Sequence, residues 1–253
     1  MIFASAYSGI GGADAGLLGA GWDLAWQCER NHYRRAVLTR RFHVPIAPSL
    51  DRMPPDGLTP AGRYPDALYA ELPDARIARW WVPLRQAIFA RVRAVPCRRW
   101  LILECSPVAR CDQILRDIIG WGWHFRLVHA SMVIAMPDEP EATWDMRHRA
   151  YILASPSADV IDATALDGMS AQLVVNGIRP SSPRGSVEWE EESRGFRVGF
   201  SCACGQRPCL CDDAARRLAV REATSPFLTH WLAGMLTGQA MPDWRVKGDG
   251  THG

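Results

Sequence analysis

Short apolar runs alternate with segments of helical spacing through the first 157 residues of the chain. The strand-like runs lie at Ile2–Tyr7, Asp23–Cys28, Ala67–Leu72, Trp100–Glu104, Phe125–Ile134 and Arg149–Ala154. Apolar residues recur at helical spacing in the intervals, in one segment that ends at about Ala20 and in three that span Asn31–Phe42, Ala78–Val95 and Asp112–Trp121. This alternation predicts an α/β fold in which helices cover both faces of a parallel sheet.

The alternation fades after about Ser157, and the rest of the chain has a different character. Residues 158–212 contain short β-like pieces, an acidic run and a cluster of cysteines, whereas helical spacing returns from Asp213 to Gly238. We therefore expect a main domain over 1–157, a reduced appendage over 158–212, a helix over 213–240 and a polar tail over 241–253.

The composition indicates a globular protein but does not identify a partner. With 48% hydrophobic and 22% charged residues, a chain of 253 residues can bury one large core. No apolar run reaches the ~18 residues of a membrane helix, so we expect a soluble, cytoplasmic protein with no membrane partner. The net charge of +2 does not by itself indicate a polyanionic partner.

Four of the eight cysteines form the compact cluster "CACGQRPCLC". Cys202, Cys204, Cys209 and Cys211 follow the spacing C-x-C-x4-C-x-C, and four thiolates this close can surround a tetrahedral zinc ion. In an intracellular chain such a cluster suggests metal before disulfides. The pattern predicts a structural zinc site, and the alternative is a set of free thiols or a redox pair.

A glycine-rich turn, "SGIGGADAG", follows the first strand. Gly9, Gly11 and Gly12 would allow backbone N–H groups to approach a ligand closely. Glu29 ends the second strand, where a carboxylate can accept bonds from two ribose hydroxyls. The pair indicates a nucleotide-like ligand, and the alternative is any doubly wound fold with tight turns.

The longer stretch "YSGIGGADAGLLGAGWDLAWQCERNHYRRAVLTRRF" resembles the opening of the cytosine-C5 DNA methyltransferases. In that family the S-adenosylmethionine loop reads like "FSGIGG" and the second strand ends in Glu. The resemblance implies a Rossmann-like, S-adenosylmethionine-dependent methyltransferase sheet with a small Cys-rich appendage. Tyr7 stands where the family has Phe against the cofactor, and Arg30 stands where a hydrophobic residue packs on the adenine.

Three later segments are similar to the same family in the same order. "WLILECSP" resembles the strand whose Glu holds the N3 and amino edge of cytosine, which implies that role for Glu104. "DMRHRAYILA" implies that Arg147 and Arg149 brace the base and the active site. "REATSPFLTHWLAGML" resembles the C-terminal helix that packs back on the cofactor, with Glu222 and Ala223 at its Asn-Ala positions.

The usual nucleophile of the family is replaced in this chain. The segment that resembles its Pro-Cys-Gln motif is "YAELPDARIA", in which Asp74 stands at the cysteine position. Cys105, directly after Glu104, is similar to the nucleophile that RNA cytosine-C5 methyltransferases carry after the fifth strand, with Asp74 as the nearby carboxylate. Cys105 would need a turn at the strand end and a nearby cation, Arg147 or Arg149. The alternative is a small strand-end residue in an inactive enzyme.

The family's large target-recognition domain has no counterpart here, because fewer than 70 residues separate Ala154 from Glu222. The sequence thus predicts an S-adenosylmethionine-binding, cytosine-C5 methyltransferase-like protein that acts on nucleic acid, with DNA favoured over RNA. The alternative is a catalytically inactive homologue that serves as a DNA-binding or regulatory subunit. In either case a partner subunit would supply target recognition.

Overall fold

The structure is a computed structural model that describes residues 1–52, 65–72, 77–90, 99–105, 111–136, 139–144, 149–164, 170–176, 181–184, 186–194, 196–206 and 209–238. Its strands are β1 Ile2–Ala6, β2 Asp23–Cys28, β3 Ile46–Ala47, β4 Ala67–Leu72, β5 Trp100–Cys105, β6 His124–Met136, β7 Glu139–Trp144, β8 Arg149–Ser155 and β9 Ser170–Asn176. Its helices are α1 Gly12–Gly19, α2 His32–Arg41, α3 Ile77–Ala90, α4 Asp112–Gly120, α5 Ala158–Asp162, α6 Val187–Ser193, α7 Asp213–Glu222 and α8 Pro226–Thr237, with a 3-10 turn at Leu50–Arg52. Among the described helices, none has the length and apolar character to cross a membrane.

The nine described strands join one sheet in the order β3-β2-β1-β4-β5-β8-β6-β7, and β9 also pairs with β6. The strands from β3 to β5 in that order run parallel, whereas β8 is antiparallel to both β5 and β6. The expectation of a wholly parallel sheet is therefore wrong for β8. Only short connections separate β6, β7 and β8, and a parallel partner would need a crossover of a dozen or more residues.

The segment predicted as an appendage contributes to the sheet as well. β9 pairs in parallel with β6 from Ser170 to Asn176, so its residues extend the sheet past the 157 residues assigned to the main domain. The predicted α/β class is confirmed, with helices on both faces. The remainder of the segment contains α6, which packs against α7, and the cysteine cluster, whose neighbouring apolar side chains pack with α1, α2 and α7.

The sheet separates two different layers, because successive side chains of a strand point to opposite faces. On β5, Leu101, Leu103 and Cys105 belong to the core beneath α3 and α4. Trp100 and Ile102 belong to the core beneath α1 and α8, and Glu104 follows them on that face. The carboxyl end of β5 is thus apolar on one side and acidic on the other.

Helices α1 and α8 lie unusually close, and glycine on α1 makes this possible. A Cβ on Gly16 would overlap the hydroxyl oxygen of Thr229 and the carbonyl oxygen of Pro226. The Thr229 hydroxyl donates a hydrogen bond to the carbonyl of Ala13 at 3.0 Å across this contact. Helix α8 therefore holds in place the helix that follows the glycine-rich turn.

The Gly16→Ala variant should be clearly less stable than the native protein, by about 1–3 kcal/mol, because the new methyl group meets a backbone carbonyl that cannot move aside. Chemical denaturation would measure this difference. Gly120→Ala is the matched control, since a Cβ at Gly120, the last residue of α4, meets nothing within 4 Å. Equal losses in the two variants would contradict the close packing of α1 on α8.

Candidate active site

The glycine-rich turn lies at the carboxyl end of β1, where three residues have left-handed backbone angles. Gly9 and Gly11 have φ of 58° and 83°, and Tyr7 has φ of 57°. This conformation is costly for a residue with a side chain, and such strain clusters at functional sites. Tyr7 is held by Trp80: the tyrosine hydroxyl donates to its carbonyl at 2.9 Å, and the rings meet edge to face at 5.2 Å.

Glu29 lies against this turn, as the sequence predicts. Its side chain is 6% exposed, with Oε2 accepting from the Gly9 N–H at 2.9 Å and Oε1 from the Asn31 N–H at 2.7 Å. Desolvation raises the pKa of Glu29, while these backbone bonds act in the opposite direction. A carboxylate has about four acceptor sites, so it retains capacity for hydroxyl donors of a ligand.

Glu104 forms the centre of a second polar group on the adjacent strands. The residue is 1% exposed, and Oε1 accepts from Thr224 Oγ1 at 2.7 Å and from Arg149 Nε at 2.9 Å. The Tyr69 hydroxyl donates to Oε2. Three donors from β4, β8 and the α7–α8 junction therefore compensate one buried carboxylate. The predicted pair of Glu104 and Arg149 is in direct contact.

Glu71 is the acidic residue that the sequence analysis missed. It pairs in register with Glu104 across β4 and β5, on the same face of the sheet. Its Oε2 would lie 3.6 Å from a Cβ placed on Gly9, so it lies between the turn and Glu104. Desolvation and then the charge of Glu104 raise the pKa of Glu71 to about 8. Only the register of two parallel strands reveals this contact, and spacing along the chain does not.

Cys105 lies on the other face of β5 from Glu104. The strand continues regularly through Cys105, which pairs with Leu72 and Ala150, so the turn that would bring both side chains together is not between them. The residue is fully buried among apolar side chains. A hydrogen bond with the Cys111 thiol, together with burial, raises the pKa of Cys105. Arg149 pairs with Glu104 and brings no cation to this thiol.

The other predicted site residues have three different outcomes. Arg147 and Asp74 lie outside the described residues. Arg30 follows Glu29 with an exposed side chain, and its carbonyl accepts from Arg35 at 2.6 Å. Gly12 faces the α7–α8 junction, because a Cβ there would overlap the Thr224 carbonyl oxygen.

The helix predicted from Asp213 to Gly238 is two helices, and the break between them reaches the site. Pro226 begins α8 and disfavours helical angles at Ser225, which caps the helix from an extended conformation. Glu222 is 49% exposed and pairs with Arg34 of α2, while Ala223 is buried beside that helix. Thr224, which the sequence analysis did not identify, donates to Glu104.

The four clustered cysteines form a compact group. All four Sγ atoms lie within 4.8 Å of one another, with Cys202 and Cys209 3.1 Å apart. Thiolates bound tetrahedrally at about 2.3 Å from zinc would be about 3.8 Å apart, so the group can hold a metal ion. The N–H of Gln206 donates to the Cys204 thiol at 3.4 Å and is the main cause that lowers its pKa to about 6.

Helix α2 anchors this cysteine group to the main domain. Arg40 and Tyr33 of α2 donate to the carbonyls of Cys202 and Ser201 at 3.1 and 2.7 Å. Arg41, also from α2, donates to the Phe200 carbonyl at 3.1 Å. The group therefore lies at the β2–β3 edge of the sheet, in contact with the helix that begins beside Glu29.

No protein-family model matches the sequence, and no curated protein matches it. Several solved structures match the fold. The methyltransferase EhMeth of Entamoeba histolytica is 11% identical with a TM-score of 0.59, over 94% of this chain and 98% of its own. The Dnmt2 methyltransferase of S. pombe is 10% identical with a TM-score of 0.62, over 94% and 98%. An E. coli prophage protein assigned as a DNA modification methyltransferase is 10% identical with a TM-score of 0.61, over 94% and 99%.

At 10–11% identity, these similarities establish the fold alone. The chain has the Rossmann-like α/β fold of S-adenosylmethionine-dependent methyltransferases, and the predicted fold class is confirmed. The described structure of this chain also contains the group of Cys202, Cys204, Cys209 and Cys211.

Proposed function

We propose that this protein binds S-adenosylmethionine and is a cytosine-C5 methyltransferase-like protein that acts on nucleic acid, with DNA favoured. The observation that supports this most strongly is the convergence of two predicted pairs at one sheet edge. Gly9, Glu29 and Glu104 lie at the carboxyl ends of β1, β2 and β5, where ligands bind in open α/β sheets, and Arg149 begins the antiparallel β8 at the same edge. The methyltransferase names of the matching structures agree with this function.

The chain's own residues fit the cofactor in their donor and acceptor chemistry. Glu29 has acceptor sites left for the ribose hydroxyls, and its carboxylate is fixed by the N–H groups of Gly9 and Asn31. The partly buried ring of Tyr7 provides an apolar wall beside the turn. When bound, S-adenosylmethionine supplies an electrophilic methyl group. Glu29 and the turn would orient it towards Glu104.

On the acceptor side, Glu104 would hold the N3 and amino edge of the base, and Arg149 would fix the position of its carboxyl group. In the described structure Glu104 already accepts from three donors of the protein itself, so a base that contacts both carboxyl oxygens must displace Thr224 or Tyr69. An extruded or single-stranded base is required, because the reacting carbons are hidden in a stacked duplex.

A second candidate is an inactive homologue that serves as a DNA-binding or regulatory subunit. The orientation of Cys105 favours it, because the thiol lies on the opposite face of β5 from Glu104. Methyl transfer to C5 requires a nucleophile that adds to C6 of the ring. In this candidate, a partner would supply target recognition or the missing thiol.

The Glu29→Ala variant should bind S-adenosylmethionine at least ~10-fold more weakly than the native protein, because charge-assisted hydrogen bonds contribute ~1.5–3 kcal/mol each. Isothermal titration calorimetry measures the difference. Asp162→Asn is the control, since Asp162 is an exposed carboxylate of α5 paired with Arg126 of β6, three strands from β4 in the sheet. The cofactor proposal is falsified if the folded native protein shows no binding.

Trapping on 5-fluorocytosine DNA separates the two candidates. A transferase that uses Cys105 would form a stable adduct with this DNA in the presence of S-adenosylmethionine. Because Cys105 faces the apolar layer with a raised pKa, we expect the isolated chain to form no adduct there. An adduct located on Cys105 by peptide mass spectrometry, and lost in Cys105→Ser, would contradict this expectation and support the catalytic candidate.

We also propose that the four clustered cysteines bind one structural zinc ion. Their Sγ separations suit tetrahedral coordination, and four protein ligands leave no open position for chemistry. The ion would brace a loop-rich segment that contributes few side chains to the core. Its binding free energy would then act as folding free energy for residues 199–212.

Metal analysis of protein purified without added zinc should find about one equivalent per chain. Removing it with a chelator should lower the melting temperature, because the anchored loop loses its cross-link. Cys209→Ser should reduce the zinc content strongly, whereas Cys28→Ser, at a buried cysteine away from the cluster, should not. Metal-free native protein with four readily alkylated thiols in this segment would exclude the site.

A further inference from the structure

Glu71 occupies the point where the two halves of the site meet. The strand order β2-β1-β4-β5 places Glu29, the turn at Gly9, Glu71 and Glu104 side by side along the carboxyl edge. Neighbouring strands are about 4.8 Å apart, so β2 and β4 are separated by about 10 Å. A cofactor with its ribose on Glu29 therefore crosses β1 and reaches Glu71 with its other end.

The transferred group must lie between the cofactor and the acceptor base. Glu71 occupies this position between cofactor and base, because it is adjacent to Gly9 on one side and to Glu104 on the other. The reactive sulfur of S-adenosylmethionine carries a positive charge, and the product S-adenosylhomocysteine carries none at that atom. A carboxyl group at this point can therefore distinguish the cofactor from the product by charge.

We propose that Glu71 contacts the sulfonium end of S-adenosylmethionine and makes the site prefer the cofactor to its neutral product. This inference rests on the proposed cofactor site. In the free protein the carboxyl group carries a proton; the incoming cation displaces that proton to the solvent and leaves a carboxylate beside it. S-adenosylhomocysteine does not displace it, so the product binds the protonated form.

The charges around Glu71 support this proton exchange. Burial and the carboxylates of Glu104 and Glu29 raise the pKa of Glu71, while Arg149 and Arg34 lower it, with about 8 as the outcome. The hydroxyls of Tyr69 and Tyr151 remain protonated, since their pKa values are raised well above the usual value. Among the described residues near this point, Glu71 is therefore the group whose proton a cation can remove at neutral pH.

Titration calorimetry with both ligands tests the inference. The affinity for S-adenosylmethionine should rise ~25-fold from pH 6.5 to pH 8.5, because the carboxyl group is already deprotonated above the pKa of Glu71 and binding then displaces no proton. Buffers of different ionisation enthalpy should reveal close to one proton released per S-adenosylmethionine at pH 7. S-adenosylhomocysteine binds the protonated form, so it should release no proton, and its affinity should fall rather than rise over the same pH range.

The Glu71→Gln variant keeps the shape of the protonated side chain but cannot ionise. It should remove the pH dependence and lower the preference for cofactor over product by about tenfold, while the affinity for the product stays unchanged. Asp162→Asn, at the exposed carboxylate of α5, should leave both affinities as they are. Circular dichroism checks that each variant is folded.

The outcomes separate this inference from the function on which it rests. If neither ligand binds to the folded native protein, the proposed cofactor site is wrong. If both bind with the same pH dependence and Glu71→Gln leaves their ratio unchanged, the role of Glu71 is overturned while the cofactor site stands. The number of protons released by the native protein tests the same role without any variant.

Discussion

The burial of the Glu104 carboxylate is the constraint on which the carboxyl edge of the sheet depends. A buried charge is tolerated only when donors surround it, and Glu104 draws these from β4, β8 and the α7–α8 junction. The antiparallel β8 is what places Arg149 beside β5. Desolvation, and then the same buried charge, raises the pKa of Glu71 on the neighbouring strand. One carboxylate thus fixes three elements and contributes to the raised pKa of Glu71 on one of them.

Much of the fold could be predicted, because the periodicity of apolar residues indicates which positions of a strand or helix are buried. The bounds of β2 and β4 agree with the apolar runs, and Asn31 caps α2 at the predicted start. The direction of β8 could not be predicted, because the same apolar run suits a parallel or an antiparallel strand. The break before Pro226 was missed, although the residue before a proline disfavours helix and Ser225 is a favourable cap.

In the candidate site too, contacts between consecutive elements could be predicted, whereas contacts that depend on tertiary structure could not. The contact of Gly9 with Glu29 could be predicted, because Gly9 follows β1, Glu29 follows β2, and these two consecutive strands are parallel neighbours. Glu71 and Thr224 could not be found, since their contacts depend on strand register and on a junction 120 residues from Glu104. Successive residues of a strand point to opposite faces of the sheet, so Cys105, the neighbour of the buried Glu104, lies in the apolar layer.

The close packing of α1 and α8 also determines when the fold can be completed. The hydrogen bond from Thr229 to Ala13 joins residues 216 positions apart, so the helix after the glycine-rich turn gains its partner only late in synthesis. Closing so long a segment is entropically costly, and contacts of this kind slow folding. Until α8 emerges, the nascent chain exposes the small-residue face of α1 and half of the sheet, which is the state that chaperones protect from aggregation.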